Sequence, residues 1–597
     1  MNDKYRSHSV IREDRADGRI ILRAKDALPA TVDRTTDWLD KWAGQTPSAV
    51  FLAQRSGEGW LEVSYLEAQQ RAKTLAAGLL DLGLTSETPI MILSGNSVDH
   101  GILAMVAQYV GIPIVPLPEQ YSLVPAARNQ VDYAVSVVNP GLVYAEDGEA
   151  FADVLDRDVF QKVHKVVSKG GRADIKTIEQ LSQSKTNISQ ANSAVGPDSI
   201  AKILMTSGST SSPKAVPTSH GMMCVNMAQV GYGLPFLAER PPVIVDWLPW
   251  NHVFGGSHNF NMMLANGGAL YIDAGKPAPH LIGLTLENLR LKTGTMVFNV
   301  PAGFAMIRDA LKQDTDLQHA YFDGLDMLFY AGASLPQDVW SDLETMAREV
   351  RGDMPLFTSS WGLTETAPAV LLQHQPTTQS GVIGIPLPGI DVKLIPEEDK
   401  RYEVRVRGPN VFKRYLNQPD QSKDAFDEEG FFKTGDAMQF VDENNMNLGL
   451  KFSGRISEEF KLLTGTWVRA ATLRLDVLVA LGGIASDVVL TGADRNDIGV
   501  FVIPTGNIRE SSDANELEGA LSIKSIESDI RKRLETIGSS SSTRIARAMI
   551  LSEAPSMALG EITAKGNINF RKLLECRTAL LDRLYHDKDE ATILINE

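Results

Sequence analysis

The run TSGSTSSPK, Thr206 to Lys214, sets Ser207, Ser209 and Thr210 around Gly208 and ends on a lysine. Backbone N–H groups and hydroxyls in such a loop can converge on an anion, and Lys214 adds a point charge. The same residues also make ordinary solvent-facing turns. The run follows SIAKILM, which reads as a strand, and precedes VPTSHGMMCVNMAQVGYG, where Ser219 and His220 open a helical pattern. A loop between a strand and a helix is therefore expected. Lys214 lies between Pro213 and Ala215, so the run is not GxxxxGK[ST], and a Walker-type NTPase is excluded.

Four later segments carry comparable chemistry. In SSWGLTETAPA the face of Trp361 can stack on a purine, Gly362 lets backbone approach a ligand, and Glu365 can hold Mg²⁺ beside phosphate oxygens; a helix start with a buried Trp reads equally well. GFFKTGDAMQF places Asp436 after a glycine turn, where it could accept from both hydroxyls of a ribose or serve as a turn residue. SGRISEEFKLLTGTWV supplies Arg455 for ribose or phosphate, and Lys461. GEITAKGNINFRKLL presents Lys565 in a loop, where a lone lysine is ordinarily just solvated.

These segments need a scaffold. A chain of 597 residues exceeds one small domain and fits roughly two to four folding units. With 43% apolar and 22% charged residues the composition is that of a globular protein. Acidic residues outnumber basic ones, 74 to 58, for a formal net charge of -16, which disfavours nucleic acid and still allows a local basic cleft. Two cysteines, Cys224 and Cys576, without metal-ligand spacing, and a charged start lacking a signal-peptide core point to a cytoplasmic setting. HGILAMVAQYVGIPIVPLP is interrupted by Gln108, Pro113 and Pro116, so a buried helix followed by a strand is expected and no membrane span.

Short β-branched runs alternate with helical patterns over the first 450 or so residues: TPIMILSGN, GIPIVPL, GLVYA, KVVSK, VIVDWLP, GALYI, TMVFNVP and LDMLFYAG. That alternation predicts βαβ layers with largely parallel sheets, an α/β fold. From Gly381, GVIGIPLPGIDVKLI and RYEVRVRGPNVFKRYL predict a smaller antiparallel, barrel-like subdomain. The texture changes again after SGRISEEFK. Expected divisions are a large domain over 1–453, a hinge over 454–457 and a small, mobile α+β domain over 458–597.

In order along the chain, TSGSTSSPK, LPWNHVFGG, FYAGASLP, SSWGLTETAP, GVIGIPLPG, FFKTGD, SGRISEEFK and the late lysine resemble the adenylate-forming superfamily of acyl-CoA synthetases, luciferases and peptide-synthetase adenylation domains. The longer stretches VDWLPWNHVFGGSHNFNMMLANGGALYID, FNVPAGFAM, EEFKLLTGTWV and GEITAKGNIN are similar to feruloyl-CoA synthases. The resemblance implies two half-reactions in one cleft. A carboxylate, hydroxycinnamic by the nearer likeness, attacks the α-phosphorus of Mg²⁺-bound ATP, and coenzyme A then displaces AMP after the small domain rotates.

It also implies roles. Thr206, Ser207, Gly208, Ser209, Thr210 and Lys214 would hold the β- and γ-phosphates, Thr364 the α-phosphate and Glu365 the metal. Gly332, Ala333, Ser334, Ser360, Trp361 and Gly362 would surround adenine, with Asp436 and Arg455 at the ribose. Lys565 would bridge carboxylate and phosphate during adenylation, and Lys461 and Gly465 would face the site for the second step. His252 matches the carboxylate entrance; as bare sequence it reads equally as a core imidazole. Phe254, Gly256, Phe298, Val300 and Ala331 would shape a slot for an aromatic ring, or simply pack. Three positions depart from the superfamily pattern: Ser211 stands for a glycine, Ser457 occupies the hinge position and Glu459 replaces an aspartate.

The leading reading is an acid:CoA ligase with small-molecule partners, for which a homodimer is an allowed assembly. Two others stay open. One is an adenylating enzyme with a different acid or a carrier-protein acceptor, though no carrier module follows Lys565; the other is a non-catalytic nucleotide-binding relative, motivated by Ser211.

Overall fold

The computed structural model describes residues 4–206, 213–278, 280–556, 559–562 and 568–595, and all strand orders below are those of these residues. Apolar β-branched runs form the strands, and a helix buried along all its residues but Asp99, Val98–Tyr109, is sunk in the principal core with Ser97 capping its first turn. The strand Ile114–Pro116 follows it, as its sequence predicts.

One sheet has seven strands, in the order Lys214–Ser219, Ile200–Thr206, Ile114–Pro116, Ile90–Ile92, Leu142–Asp147, His164–Lys169, Lys176–Thr177. Its first pair is antiparallel and the rest are parallel. A second sheet sets Val243–Asp246 parallel to Ala269–Ile272, and that strand parallel to Val50–Ser56. The third and largest runs from Val10–Asp14 at one edge to Met296–Asn299 at the other, eleven strands in all.

In that third sheet, Met296–Asn299, Met327–Tyr330 and Leu356–Gly362 lie parallel, with Phe298 opposite Phe329 and Tyr330 opposite Ser359. The antiparallel strands expected after Gly381 join this parallel set through Ala369–Leu372 and Val382–Pro386. They continue through Leu450–Arg455, Phe432–Phe440, Tyr402–Arg407 and Asp391–Pro396. Val382–Pro386 also packs near Ile20–Ala24, so this half curls back on itself.

The strand Leu450–Arg455 belongs to the large sheet to its last residue, and a separate apolar core begins at Leu462. That second core backs a six-stranded sheet that includes Ala485–Thr491, Ile498–Pro504 and Ile545–Leu551, flanked by the helix Lys524–Glu535. Two ion pairs tie it to the turn after Asp391–Pro396: Arg401 with Glu459, and Arg469 with Asp399 at 2.5 Å.

One expectation is corrected. Between the loop after Thr206 and the helix His220–Gly233 lies another strand, Lys214–Ser219, with Thr206 and Lys214 as cross-strand partners. The loop therefore closes a hairpin. The helix starts at Ser219, whose Oγ accepts from Met222 N–H, so its N-terminal dipole is spent a full strand away from the loop.

Candidate active site

Ligands of parallel sheets gather beyond the carboxyl ends of the strands. Here those ends deliver Val300 from Met296–Asn299, Ala331 through Ser334 from Met327–Tyr330, and Ser360 through Gly362 from Leu356–Gly362. Gly332 sits at φ +90, a left-handed backbone, and a Cβ there would face Val300 at 3.9 Å. Ala331 N–H donates to Asn299 O at 3.3 Å, and Gly381 N–H donates to the Tyr330 hydroxyl at 2.8 Å. Gly332, Ala333 and Ser334 form an exposed rim; Ser360 and Gly362 are half-buried.

Trp361 is 7% exposed, and its indole N–H donates to Asp436 Oδ2 at 2.9 Å. Asp436, 2% exposed, stands opposite Arg455 on the neighbouring strand, with Arg455 Nε 3.4 Å from its Oδ1. Oδ1 itself is buried with no hydrogen-bond donor. Burial pushes the Asp436 carboxyl above its ordinary range, Arg455 and Trp361 oppose that, and the field of Glu365 adds to it. A buried acceptor without a donor costs about 1–3 kcal/mol, so this oxygen is primed for a ligand hydroxyl.

A second group forms around Glu365. Tyr415 O–H donates to Glu365 Oε1 at 2.9 Å, and Lys214 Nζ lies 4.7 Å from the centre of the Tyr415 ring. Burial, then the charge of Glu365, push the Tyr415 phenol up, so it stays a donor. Phe412 N–H donates to Glu365 O at 2.8 Å, and Leu416 N–H to Ala215 O at 2.9 Å, which fixes the segment around Tyr415 against both partners. Thr364, buried, opens the turn Thr364–Thr366. The alternative of a helix start with a buried Trp is met in part: Trp361 is buried, the strand ends at Gly362, and a single 3-10 turn, Thr364–Thr366, follows. The far end of the loop is held by Tyr133, whose hydroxyl donates to Pro213 O at 2.8 Å.

The third group is the segment from Asp246 to Ala265. It enters a π-helical turn, Phe254–Asn259, before the helix Phe260–Ala265. Gly255 and Gly256 let this turn press on backbone, since a Cβ at Gly256 would come within 2.1 Å of Trp250 O. Packing thus explains this glycine. Phe260 N–H reaches Gly255 O, and Gly256 O accepts from the ammonium of Lys202. Lys202 is 5% exposed, and burial pushes it down to about 7. Burial and then the charge of Lys202 push neighbouring His100 down to about 4.

Phe254 N–H donates to Nδ1 of the half-buried His252 ring at 3.3 Å. Phe254, Phe298 and Phe329 form one aromatic cluster with centroid separations of 5.1 to 6.2 Å. Trp247 Nε1 donates to Asn299 Oδ1 at 3.2 Å and joins this segment to the strand end that carries Val300.

Lys461 and Gly465 lie elsewhere, exposed on the hairpin of Phe460–Lys461 and Trp467–Val468 in the second body. Gly465 has φ +85, and Lys461 Nζ lies 5.9 Å from the Trp467 ring. Lys565 and the loop residues Ser207, Gly208, Ser209, Thr210 and Ser211 fall outside the described residues, as does the side chain of Ser457. Flanking Lys565, Ile562 pairs with Ile568.

Sequence reasoning missed Tyr415, Lys202 and Asp246. The last two had a signal: each is a charged residue inside an apolar strand run, IAKILM and VIVDW. Among the described residues no cluster of three His, Cys, Asp or Glu could cage a metal, and no helix is long and apolar enough to cross a membrane. A lone carboxylate beside phosphate oxygens is how Mg²⁺ is ordinarily held, and Glu365 fits that donor set.

Residues 39–416 match the family model described as AMP-binding enzyme. The chain belongs to the AMP-binding enzyme family. Relatives of this family include luciferin 4-monooxygenase of Nipponoluciola cruciata, 22% identical over 72% of this chain and 78% of that protein. Long-chain-fatty-acid–CoA ligase 6 of Homo sapiens is 23% identical over 71% of this chain and 67% of its own. Among solved structures, O-succinylbenzoate coenzyme A synthetase of Bacillus subtilis in complex with AMP superposes with a TM-score of 0.65 at 16% identity, covering 90% of this chain and 97% of that one. The mixed α/β fold is therefore that of adenylate-forming enzymes.

Proposed function

We propose that this AMP-binding enzyme is an ATP-dependent acid:CoA ligase that activates an aromatic, hydroxycinnamate-like acid through an acyl-AMP intermediate. The observation that carries the nucleotide half is Asp436: one oxygen is held by Trp361 and the other is buried without a donor beside Arg455, the arrangement a ribose hydroxyl would complete. Lys214, Tyr415 and Glu365 supply the phosphate end. Mg²⁺ would be held by Glu365 and would neutralise charge on the phosphate oxygens. Phe254 and Phe298 belong to the apolar cluster against which Val300 and Ala331 pack, which supports a flat apolar acid.

Thr206, Thr364 and the loop residues 207–210 would grip phosphates, Gly332 to Ser334 and Ser360 to Gly362 the base, and His252 the entering carboxylate. The catalytic power needed is chiefly positioning and electrostatic stabilisation. We assign residues 1–453 to the nucleotide- and acid-binding domain, 454–457 to the hinge and 458–597 to a small domain that brings Lys565 to the cleft for adenylation, and Lys461 with Gly465 for the thioester step with coenzyme A.

Acid-dependent ATP–pyrophosphate exchange tests this reading. Ferulate or coumarate should support exchange, with AMP release and thioester formation when coenzyme A is added. Exchange without use of coenzyme A would favour a carrier-protein acceptor, and no exchange with any carboxylate would leave a non-catalytic nucleotide binder. Lys565→Ala should abolish adenylation while thioester formation from supplied acyl-AMP largely survives; equal loss of both steps defeats its assigned role.

A further inference from the structure

Three amide side chains are sunk behind the turn that carries Thr364 and Glu365. Asn226 and Gln229, on the helix His220–Gly233, and Asn410, two residues before Phe412, are each 0% exposed. Asn and Gln are seldom buried so completely, and their bonds explain it. Asn226 Nδ2 donates to Ala369 O at 2.8 Å and to Gln229 Oε1 at 3.0 Å, while its Oδ1 accepts from Ala369 N–H at 3.1 Å. Gln229 Nε2 donates to Pro388 O at 2.8 Å and to Asn410 Oδ1 at 3.3 Å. Asn410 Nδ2 donates to Thr366 O at 2.6 Å and to Ala369 O at 3.1 Å. Every amide hydrogen and every amide oxygen of the three is used, so none of these side chains can flip without losing bonds.

The backbone they serve is irregular. Ala367 sits at φ +63, left-handed for a residue with a Cβ, and Pro368 brings no N–H to a sheet ladder. Such a turn persists only when its surroundings over-determine it. Thr366 contributes from within: its Oγ1 accepts from Leu363 N–H at 2.8 Å and donates to Pro368 O. Asn410 then holds Thr366 O, and Phe412 N–H, two residues on, holds Glu365 O.

The same frame reaches the phosphate end. The helix bearing Asn226 and Gln229 follows directly on the strand Lys214–Ser219, and Leu416 N–H donates to Ala215 O at 2.9 Å. Apolar side chains could fill the space behind the turn; what the amides add is one fixed register among the helix, the turn and the segment leading to Tyr415.

We propose that Asn226, Gln229 and Asn410 are positioning residues for nucleotide activation, holding the turn Thr364–Thr366 against the helix so that Glu365 is aimed at the Mg²⁺ of the nucleotide. This rests on the reading above in which Glu365 holds the metal, and adds to it the residues that give the carboxylate its aim.

The test separates metal binding from catalysis. Asn410→Ala removes two donors to the turn, and Gln229→Leu removes the bond that orients Asn410. With ATP present, Asn410→Ala should weaken Mn²⁺ binding, read from the metal's paramagnetic signal, by roughly 10- to 100-fold, and Gln229→Leu by less. Acid-dependent adenylation should fall by a similar factor. Thioester formation from supplied acyl-AMP, which uses no triphosphate-bound metal, should change by less than about twofold. In a Glu365→Gln background Asn410→Ala should add less than about threefold, because its effect runs through Glu365.

Equal loss of both half-reactions, or a full effect in the Glu365→Gln background, shows that the amides serve stability alone and overturns the proposal. Unchanged Mn²⁺ affinity in both variants overturns it too. Hydrogen exchange of the wild-type protein guards against a variant that fails to fold: Ala369 and Phe412 amides that exchange as fast as those of an unfolded chain defeat the proposal without any substitution. If Glu365→Gln keeps full Mn²⁺ affinity, the metal role of Glu365 falls and this inference with it, while pyrophosphate exchange by the wild type keeps the ligase reading. If the wild type exchanges with no acid, the ligase reading falls, and the Mn²⁺ titrations still decide whether the amides aim Glu365 at a nucleotide-bound metal.

Discussion

Among the described residues two lysines are buried, in opposite circumstances. Lys393, on Asp391–Pro396, is 0% exposed, yet its ammonium is bonded to Asp427 at 2.8 Å and Glu429 at 2.7 Å and lies 4.1 Å from the Phe431 ring. Arg15, Arg19 and Arg405 share those carboxylates, so the charges close into a network that ties the turn between the first two strands of the large sheet to the segment before Phe432–Phe440. Lys202, on Ile200–Thr206, donates to a neutral carbonyl in the π-helical turn beside the candidate acid pocket. The first lysine is electrically complete. The second is held at a cost, where burial strongly disfavours its charge. Stability explains the former and not the latter, and unrepaid strain next to a cleft is a mark of function.

Substitution can break that contrast. The largest expected effect is Lys393→Met, which removes the fully buried cation shared by Asp427 and Glu429, leaves Arg405 alone beside Asp427, and should cost about 3–5 kcal/mol, read as a lower urea midpoint. A loss below 1 kcal/mol would remove the distinction.

Lys202→Met should do the reverse, raising stability by about 1–4 kcal/mol. The sign follows from linkage. Lys202 has a folded pKa of about 7 against an ordinary 10.5, so between those values the unfolded chain binds the extra proton. Wild-type stability therefore gains as pH rises from about 7 toward 10.5, and the advantage of the methionine variant should be full at pH 6 and much smaller at pH 9.5. Urea titrations at both values check it; a gap that does not close means the ammonium is better solvated than its surroundings imply. The same variant should raise KM for the acid, because Gly256 O loses its donor and the pocket helix is freed.

The smallest effect is expected where neither regime applies. Arg469 and Asp399 are both solvent-exposed, and Arg469→Ala should change stability by less than about 0.5 kcal/mol. A shift in the balance between adenylation and thioester rates in that variant, measured separately, would show that the pair instead holds the small body in one orientation.

The apolar strands were legible because each is a short β-branched run between helical patterns, and VIVDWLP, GALYI, TMVFNVP and LDMLFYAG all became parallel strands. Lys214–Ser219 was not, since KAVPTS carries Pro217 and three polar or charged positions and has no strand-like alternation; it is a strand because Thr206 and Lys214 are closed into a hairpin. At the site, residue types were readable and their neighbours were not. Nothing in local spacing says that Trp361 meets Asp436, or that Tyr415 stands between Lys214 and Glu365, because sheet order brings those segments together.

The bond from Trp361 to Asp436 has an optical consequence. Indole emission responds to whether the ring N–H is hydrogen-bonded and to the charge at its edge, and this indole is buried against the carboxylate proposed to receive ribose. Of the eight tryptophans in the chain, Trp361 is the one bonded to Asp436, and a Trp361→Phe protein subtracted from the wild type isolates its signal. The chain thus carries an intrinsic fluorophore at its proposed nucleotide seat, which would let occupancy be followed without a label.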